Sequence, residues 1–504
     1  MLDLQRLAAL PRDVLTGLNR GVEKESLRVR LDGSLATTPH PPLLGSALTH
    51  PFVTTDFSES QLELITGVHP SAQACVDELT QIHQVVYRAI GDELLWCASM
   101  PCSLPGDDAI PLGRYGTSNV GRAKNVYRMG LSHRYGRRMQ TISGIHYNFS
   151  LPGQRSNDDY FALIRNFRRH SWLLLYLFGA SPAVCSTFVE GRQHELERLS
   201  RDTFYLPYAT SLRMGRLGYQ SDAQSSLAVS YNCLESYGTS LQGALTQSYP
   251  AYEKIGIRDG DDYRQLSTTL LQIENEFYGT IRPKRRIRQG ERPLHALRER
   301  GVEYVEVRLM DLDPFEPVAI NAATMRLLDV YLLYCLESDS PPDSPQEIAA
   351  KARNQHRVAS RGREPGLRLE RGADEVTLVD WGRELLAECA PIAAALDAAN
   401  ATHLYGAALA NAVSALDNPA ATPSARVLRA MADGHGNSYA GFVLAQSKRH
   451  RETICSLPFS DDLAARFAQL AEESRAKQLE IEAADTMPFE IYRQKYLDPA
   501  RLGA

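Results

Sequence analysis

Residues 21–30, GVEKESLRVR, carry acidic side chains in a pattern that could support chemistry. If the segment is a β-strand, its successive side chains point to opposite faces. One face then carries Glu23, Glu25, Leu27 and Val29, and the other carries Lys24, Ser26, Arg28 and Arg30. Two carboxylates thus share a face with apolar residues, and burying them unpaired is costly, so a divalent cation is the simplest compensating group. The alternative is a solvated edge strand with charges on both sides.

Three further strand-like segments place polar groups on a single face. They are residues 54–66, 144–151 and 301–310, and their polar groups are Glu63, His146, Asn148, Glu306 and Arg308. In 144–151, apolar odd positions alternate strictly with polar even positions, so one face is core and the other is free for chemistry or water. A lone histidine such as His146 is often a surface residue. The pair Glu306 and Arg308 lies between apolar neighbours, which favours a functional role.

These carboxylates would converge if the segments were neighbours in one sheet. Oxygen ligands with one imidazole and no thiolate suit Mg²⁺ or Mn²⁺ better than zinc. Such a site beside Arg308 and the basic stretch 282–288 is typical of phosphoryl transfer. The sequence has neither a GxxxxGK[ST] loop nor a kinase-type glycine loop, so a nucleotide would be held through its metals. A solvated basic loop is an equally good interpretation of 282–288.

Composition indicates a soluble globular protein. The chain has 504 residues, 43% hydrophobic and 23% charged, with a net charge of −5, which argues against nucleic-acid binding. The longest apolar run, 172–178, is too short for a membrane span, and residues 1–6 do not resemble a signal peptide, so we expect no membrane association and a cytoplasmic location. The 8 cysteines include no CxxC pair, so neither a disulfide framework nor a zinc site is expected.

The remaining patterns predict the elements around these strands. Helices are expected over 71–100, 122–138 and 160–179, and the chain becomes largely helical from residue 319. Tyr127, Leu131 and Tyr135 recur every fourth residue, a stripe for which core packing is the simplest explanation. Amphipathic helices over 376–401, 424–433 and 461–484 are expected to supply scaffold, and the proline-rich stretch 338–345 is a weak boundary candidate.

Long, ordered motifs resemble the bacterial glutamate-cysteine ligase family of the proteobacterial type. They are RGVEKESLR (20–28), GSALTH (45–50), TTDF (54–57), YGTSN (115–119), MQTISGIHYNFSLP (139–152), LPYATSLR (206–213), IRPK (281–284) and EYVEVR (303–308). The similarity runs from the first helix to EAADT at 482–486 and is looser in the helical part after residue 319. Motifs of this length make chance agreement improbable.

The resemblance implies the first step of glutathione synthesis, in which L-glutamate, L-cysteine and ATP give γ-glutamylcysteine, ADP and phosphate. It implies an α+β fold similar to glutamine synthetase, with a curved, mostly antiparallel active-site sheet flanked by helices. We expect one catalytic unit over 1–504, with the active-site sheet region at 15–330 and a helical C-terminal part at 331–504. The expected cofactor is Mg²⁺ or Mn²⁺, ATP is a co-substrate, and the expected state is a monomer.

The resemblance also implies roles for individual residues. The implied metal site is Glu23, Glu25, Asp56, Glu63, His146 and Glu306, and Arg308 is implied at the transferred phosphoryl group. Arg213 and Asn148 are implied to bind glutamate. The implied cysteine pocket is Phe57, Tyr127, Leu131, Gln140, Tyr219 and Tyr278. Nucleotide binding is expected from Arg282 and Lys284.

The implied mechanism activates glutamate as an acyl phosphate, which the cysteine amine then attacks. Water must be excluded from such an intermediate, so a closing loop is expected. A pocket that selects cysteine by size discriminates by only about 1–3 kcal/mol, so some reaction with 2-aminobutyrate is expected. The alternatives are a ligase that uses another amine, a metal-dependent hydrolase that consumes no nucleotide, and a scaffold protein with a degenerate site.

Overall fold

A central antiparallel sheet of seven strands organises the chain, in the order β11-β12-β5-β1-β3-β2, with β4 paired to β1 outside this path. The computed structural model describes residues 2–153, 155–218, 223, 227–288 and 290–503. The strands are β1 (Asn19–Val29), β2 (Val53–Thr55), β3 (Gln61–Ile65), β4 (Leu94–Leu95), β5 (Ile145–Ser150), β6 (Ala183–Cys185), β7 (Glu197–Arg198), β8 (Thr203–Tyr205), β9 (Arg258–Asp259), β10 (Asp262–Tyr263), β11 (Ile281–Lys284), β12 (Tyr304–Met310), β13 (Arg368–Arg371) and β14 (Asp374–Thr377). Outside the central sheet, β6, β7 and β8 form a small sheet, and β9–β10 and β13–β14 are short pairs.

Helices cover the sheet and form nearly all of the last third of the chain. They are α1 (Leu4–Ala8), α2 (Arg12–Thr16), α3 (Ala72–Ala89), α4 (Asn119–Tyr135), α5 (Arg137–Gln140), α6 (Asn157–His170), α7 (Trp172–Phe178), α8 (Ser186–Val189), α9 (Leu234–Thr246), α10 (Pro250–Glu253), α11 (Pro293–Arg300), α12 (Ala322–Glu337), α13 (Pro345–Arg361), α14 (Leu378–Asn400), α15 (Leu404–Asp417), α16 (Pro423–Gly434), α17 (Tyr439–Ser456), α18 (Asp461–Ala484) and α19 (Phe489–Leu497). Among the described residues, none of the helices combines the length and the apolar character that a membrane crossing requires. The predicted α+β class with a helical C-terminal part is confirmed.

Strand β1 lies inside the sheet, between β5 and β3, which excludes the solvated edge strand. Most of its residues are buried. On the face away from the acids, Lys24 is 2% exposed, and its ammonium lies 2.8 Å from the ring of His83 on α3. Farther along the same face, Arg28 is paired with Glu93 at 2.7 Å. The alternation predicted the two faces of β1 correctly: the Lys24 face is buried in the protein, and the face with Glu23 and Glu25 lines a cleft.

A buried ion pair joins the sheet to the helical part. Arg20 at the start of β1 lies 2.8 Å from Asp329 on α12, and the Tyr147 hydroxyl on β5 donates to the same carboxylate at 2.6 Å. All three side chains lie in the core, where removal of one charged partner leaves the other uncompensated. The pair therefore fixes how α12 sits behind the sheet.

Three helix predictions were wrong at their boundaries. The helix predicted over 71–100 ends at Ala89, because Gly91 adopts φ +61 and the chain then turns into β4. The helix over 122–138 is two helices, α4 and α5, separated at Gly136 with φ +81. The helix over 160–179 is broken at Ser171 into α6 and α7. The predictions over 376–401, 424–433 and 461–484 are confirmed as α14, α16 and α18.

The structure contains a disulfide between Cys102 and Cys185, two residues separated by 83 positions. We expected no disulfide framework, because the cysteines show no spacing pattern in the sequence. The pairing comes from the fold, which brings the end of the segment after β4 against β6.

The end of α18 contacts the start of α4. The side-chain amide of Asn119, the first residue of α4, donates to Asp485 at 2.6 Å and to the backbone carbonyl of Met487 at 2.7 Å. Just before it, the backbone N–H of Thr117 donates to Glu482 at 2.8 Å. The EAADT motif at 482–486 thus holds the N-terminus of α4 in place.

Candidate active site

Glu23, His146 and Glu306 meet on one face of the central sheet, and we call them the histidine trio. They come from the adjacent strands β1, β5 and β12, and ligand atoms of all three lie within 4.8 Å of one another. The strand register explains the meeting, because Glu23 is directly opposite His146. His146 Nδ1 lies 3.1 Å from one oxygen of Glu23, and the Asn148 amide donates to the other at 2.9 Å. Four predicted residues from three strands are therefore brought together.

Glu25, Asp56 and Glu63 line the same cleft, and we call them the acidic trio. Glu25 on β1 is directly opposite Glu63 on β3. One oxygen of Glu25 lies 3.5 Å from His146 Nε2, so the two trios are neighbours, and the other accepts a hydrogen bond from the backbone N–H of Gly144 at 2.7 Å. In the part of the chain that the structure describes, no lysine or arginine nitrogen lies within 4.0 Å of an acidic-trio carboxylate.

Two cations converge on Glu306. Lys284 Nζ on β11 lies 3.0 Å from one carboxylate oxygen, and Arg308 Nη1 donates to the other at 2.8 Å. Arg308 Nη1 also lies 3.4 Å from His146 Nδ1. The histidine trio therefore carries its own positive charge, and the predicted Arg308 and Lys284 are both at the site.

The pKa shifts follow this distribution of charge. Burial opposes the shift, but Lys284, Arg308 and His146 hold the pKa of Glu306 well below its usual range. Burial is likewise outweighed at Glu23, where the hydrogen bond from His146 lowers the pKa. At Glu63 the shift has the opposite sign, because burial and the carboxylates of Glu23, Asp56 and Glu25 raise its pKa. Burial and Asp56 also raise the pKa of Glu25.

Arg213 is positioned by the backbone and by a buried carboxylate. Its Nη2 donates to the backbone carbonyl of Arg308 at 2.9 Å, and its Nη1 lies 3.7 Å from Asp311. Asp311 is fixed in turn by the N–H of Ala180 at 2.8 Å. A Cβ at position 144 would lie 2.0 Å from Arg213 Nη2, so only glycine leaves room for the guanidinium here. The predicted Arg213 thus reaches the cleft beside Arg308.

Arg282, which we expected at the nucleotide, uses part of its guanidinium inside the protein. Its Nη2 donates to the backbone carbonyls of Asn275, at 3.0 Å, and of Phe277. The side chain still lines the cleft, two residues before Lys284 on the same strand. Burial, followed by repulsion from Arg308, lowers the pKa of Arg282. Arg282 therefore supports the segment 275–277 as well as adding positive charge.

The residues predicted for the cysteine pocket line the same cleft as the two trios. Those within the described residues are Phe57, Tyr127, Leu131, Gln140 and Tyr278. The side-chain amide of Gln140 donates to the Tyr278 hydroxyl at 2.7 Å, which joins α5 to the segment before β11. Tyr219 lies outside the described residues. The stripe of Tyr127 and Leu131, for which core packing was the simplest explanation, faces the cleft.

A buried ion pair behind Tyr278 was not foreseen. Glu276 and Arg134 are fully buried and 2.8 Å apart, and the Tyr135 hydroxyl donates to the same Glu276 oxygen at 2.7 Å. The ring of Tyr135 meets that of Tyr278 edge-on, with centroids 5.8 Å apart. This network ties the end of α4 to the segment carrying Tyr278. No sequence pattern indicated it, because Glu276 and Arg134 lie in separate segments without a shared motif.

Two more sets of cleft residues were missed. On α4, Lys124 and Arg128 share the cleft-facing stripe with Tyr127 and Leu131. From the helical C-terminal part, α13 contributes a wall composed of Ile348, Lys351, Ala352, Gln355 and His356. A heptad-like spacing on α13 is visible in the sequence, but the same pattern describes any helix packed on a core. The division at residue 330 into a sheet region and a helical part stays a prediction.

The cleft has a volume of about 580 Å³, and acids, lysines and arginines all line it. Five carboxylates and one imidazole from separate strands and loops form a donor set suited to hard divalent cations. Burial and the carboxylates of Glu23, Asp56 and Glu25 raise the pKa of Glu63, so negative charge is concentrated at this part of the cleft. The residues therefore fit Mg²⁺, and the arrangement leaves room for a polyphosphate between these acids and Arg308.

Comparison with known proteins agrees with this geometry. The family model described as Glutamate-cysteine ligase matches residues 4–358. A glutamate–cysteine ligase of Alcanivorax borkumensis is 47% identical over 504 residues, covering 96% of each chain. One of Janthinobacterium sp. (strain Marseille) is 48% identical over 513 residues, covering 98% of this chain and 97% of the relative.

A solved structure is similar over the same extent. It is a glutamate–cysteine ligase from Francisella tularensis in complex with AMP, with a TM-score of 0.91 and 38% sequence identity. The likeness covers 96% of this chain and 98% of that one. Sequence and fold therefore point to the same relatives.

Proposed function

Since the chain belongs to the glutamate-cysteine ligase family, we propose that its acid-lined cleft is where L-glutamate is joined to L-cysteine with consumption of ATP. The reaction gives γ-glutamylcysteine and is the first step of glutathione synthesis. The observation that carries the assignment of the site is the histidine trio with Lys284 and Arg308 on Glu306. A cytoplasmic location and a monomeric state stay predictions.

The two trios are the residues that would hold Mg²⁺ or Mn²⁺. Glu23, His146 and Glu306 suit the cation on the nucleotide side, because Lys284 and Arg308 are close enough to share its phosphates. The acidic trio suits a cation on the amino-acid side. When bound, such a cation supplies electrostatic stabilisation of the charge on the phosphates.

Activation of glutamate is the first chemical step. A γ-carboxylate oxygen of glutamate takes the terminal phosphoryl group of ATP, the bond to the bridging oxygen breaks, and ADP leaves. Arg308 is held on the cleft wall by Glu306, so its guanidinium is pre-oriented for the negative charge of the group in transfer. Lys284 adds a second positive charge at the same carboxylate.

Bond formation follows at the activated carbonyl. The cysteine amine attacks the acyl phosphate, the carbon–oxygen bond to phosphate breaks, and one proton leaves the nitrogen. Arg213 and Asn148 are the groups we assign to glutamate, and Arg213 is oriented by Asp311. Phe57, Leu131, Gln140 and Tyr278 enclose the acceptor at the other end and limit the access of water.

One assay tests the function directly. The purified chain is incubated with ATP, Mg²⁺ and glutamate, and ADP release is followed with cysteine, with 2-aminobutyrate, with a panel of other amines and with no acceptor. We expect release that depends on cysteine, with a lower kcat/KM for 2-aminobutyrate, and the product is identified by mass spectrometry. Faster release with an unrelated amine, or substrate turnover without ATP, would contradict the proposal.

A further inference from the structure

The stripe of α4 that faces the cleft carries two cations besides its apolar residues. Lys124, Tyr127, Arg128 and Leu131 follow one another at spacings of three and four residues, so they lie on one side of the helix. All four line the cleft. Tyr127 and Leu131 belong to the proposed cysteine pocket, so Lys124 and Arg128 stand beside the acceptor and not beside the nucleotide.

Lys124 differs from the other lysines of the cleft. Lys284 lies 3.0 Å from Glu306, and Lys351 lies 2.6 Å from Asp343. Within the described residues, Lys124 has no ion pair and no hydrogen bond from its ammonium, which lies 5.1 Å from the centroid of the Tyr115 ring. Burial, followed by repulsion from Arg128, lowers the pKa of Lys124 to about 8 against the attraction of Glu63 and Asp56, so the group is still mostly charged at neutral pH.

Arg128 is fixed in place one turn away. Its Nε donates to the backbone carbonyl of Asp56, its Nη1 donates to the carbonyl of Lys124 at 2.9 Å, and its guanidinium carbon lies 4.5 Å from the centroid of the Tyr115 ring. The positive charge of Arg128 thus has a rigid position next to that of Lys124. Both residues line the cleft together with Asp56 and Phe57.

The chemistry of the acceptor supplies the missing partner. An amino acid that attacks through its amine keeps its α-carboxylate charged throughout the reaction, and a desolvated carboxylate needs a positive group. The residues assigned to the cysteine pocket are aromatic, aliphatic or amide and carry no positive charge. Arg213, the candidate for a carboxylate of glutamate, is held at Arg308 on a different wall.

We propose that Lys124 binds the α-carboxylate of the acceptor amino acid, with the fixed charge of Arg128 beside it. The proposal rests on the proposed function, because it assumes that the acceptor occupies the end of the cleft formed by Tyr127 and Leu131. It makes Lys124 a specificity residue that distinguishes amino acids from simple amines.

Cysteamine, which is cysteine without its carboxylate, tests this assignment. We compare kcat/KM for cysteine and for cysteamine in the unaltered protein, Lys124→Met and Lys124→Arg. Lys124→Met is expected to lower kcat/KM for cysteine about 10- to 100-fold and to leave that for cysteamine nearly unchanged, so the preference for cysteine collapses. Lys124→Arg is expected to restore part of the preference.

Arg122→Met is the matched control. It removes a cation of the same helix whose side chain is exposed and lies against Phe489, outside the cleft, so the substrate preference should not change. Lys124→Gln serves as a second uncharged variant of similar polarity. The melting temperature of each variant, measured with Mg²⁺ and ATP, identifies any that is misfolded.

Equal losses with cysteine and cysteamine in Lys124→Met would overturn the proposal. An unchanged preference with an altered requirement for Mg²⁺ would do so as well, because Lys124 would then act by offsetting Asp56 and Glu63. Failure of the proposed function looks different, since the unaltered protein would then release no cysteine-dependent ADP.

Discussion

The histidine trio and the acidic trio share one cleft, yet they treat buried negative charge in opposite ways. Beside the histidine trio, Lys284 and Arg308 neutralise Glu306 and hold its pKa low. Among the described residues, no lysine or arginine nitrogen lies within 4.0 Å of an acidic-trio carboxylate, and burial with repulsion from neighbouring carboxylates raises the pKa of Glu63. The protein therefore pairs the negative charge of Glu306 directly with its own cations, whereas the acidic trio has no lysine or arginine from the described part of the chain in direct contact.

The largest effect is expected from a substitution in the histidine trio, where Lys284 and Arg308 neutralise Glu306. Glu306→Gln removes the carboxylate shared by Lys284 and Arg308 and one donor of the histidine trio, so kcat should fall on the order of 10³-fold or more. The measurement is cysteine-dependent ADP release at saturating substrates. Circular dichroism should show an intact fold, and a rate near that of the unaltered protein would remove Glu306 from the site.

A smaller effect with a different signature is expected from the acidic trio. Glu63→Gln leaves Glu306 and its cations in place but removes one negative donor, so the Mg²⁺ concentration for half-maximal activity should rise about 10- to 100-fold. Part of the rate should return at high Mg²⁺, unlike in Glu306→Gln. An Mg²⁺ dependence equal to that of the unaltered protein would contradict a metal role for Glu63.

A substitution of Lys284 tests the nucleotide side of the cleft. Lys284→Met removes one of the two cations on Glu306 and keeps Arg308, so we expect KM for ATP to rise about 10-fold with a smaller loss in kcat. KM values for glutamate and cysteine should stay within about twofold. If only the KM values for glutamate or cysteine changed, the assignment of Lys284 to the nucleotide would be wrong.

The smallest expected effect is on the free energy of unfolding, measured in the absence of metal. Glu63 has a folded pKa above its unfolded value of about 4.3, so its contribution to stability falls as pH rises from that value through the folded pKa. Glu306 has a folded pKa below it, so it stabilises the fold above pH of about 4.3 and loses this contribution as pH falls. At pH 7 Glu63→Gln should therefore raise, and Glu306→Gln lower, the free energy of unfolding by roughly 1–3 kcal/mol each.

Urea unfolding in the presence of EDTA at pH 5 and pH 7 measures both signs. The difference between Glu63→Gln and the unaltered protein should be smaller at pH 5 than at pH 7, because the raised pKa of Glu63 leaves less of the buried carboxyl ionised at the lower pH. Changes of the same sign in the two variants would mean that both trios are neutralised alike.

The strand alternation in the sequence was enough to predict the face that carries Glu23, His146 and Glu306. It could not predict that Lys24, on the other face of β1, is buried against His83, because alternation separates faces without saying what covers them. Likewise, Lys124 and Arg128 look like the solvated side of a helix until the cleft is seen. The Arg134–Glu276 pair joins distant segments, and only the fold brings such residues together.

The hydrogen bonds between Asn119 and Asp485 affect the order in which the chain can fold during its synthesis. These residues are 366 positions apart, and at 5–20 residues per second a ribosome needs about 20–70 s to cover that distance. The last strand of the central sheet, β12, ends at Met310, so the whole sheet is synthesised before Asp485, while α4 still lacks the group that anchors its first turn. The nascent chain can thus form the central sheet with its carboxylates before the hydrogen bonds that anchor α4 are made. A truncation that removes residues 482–487 should therefore leave the sheet folded and α4 less firmly held.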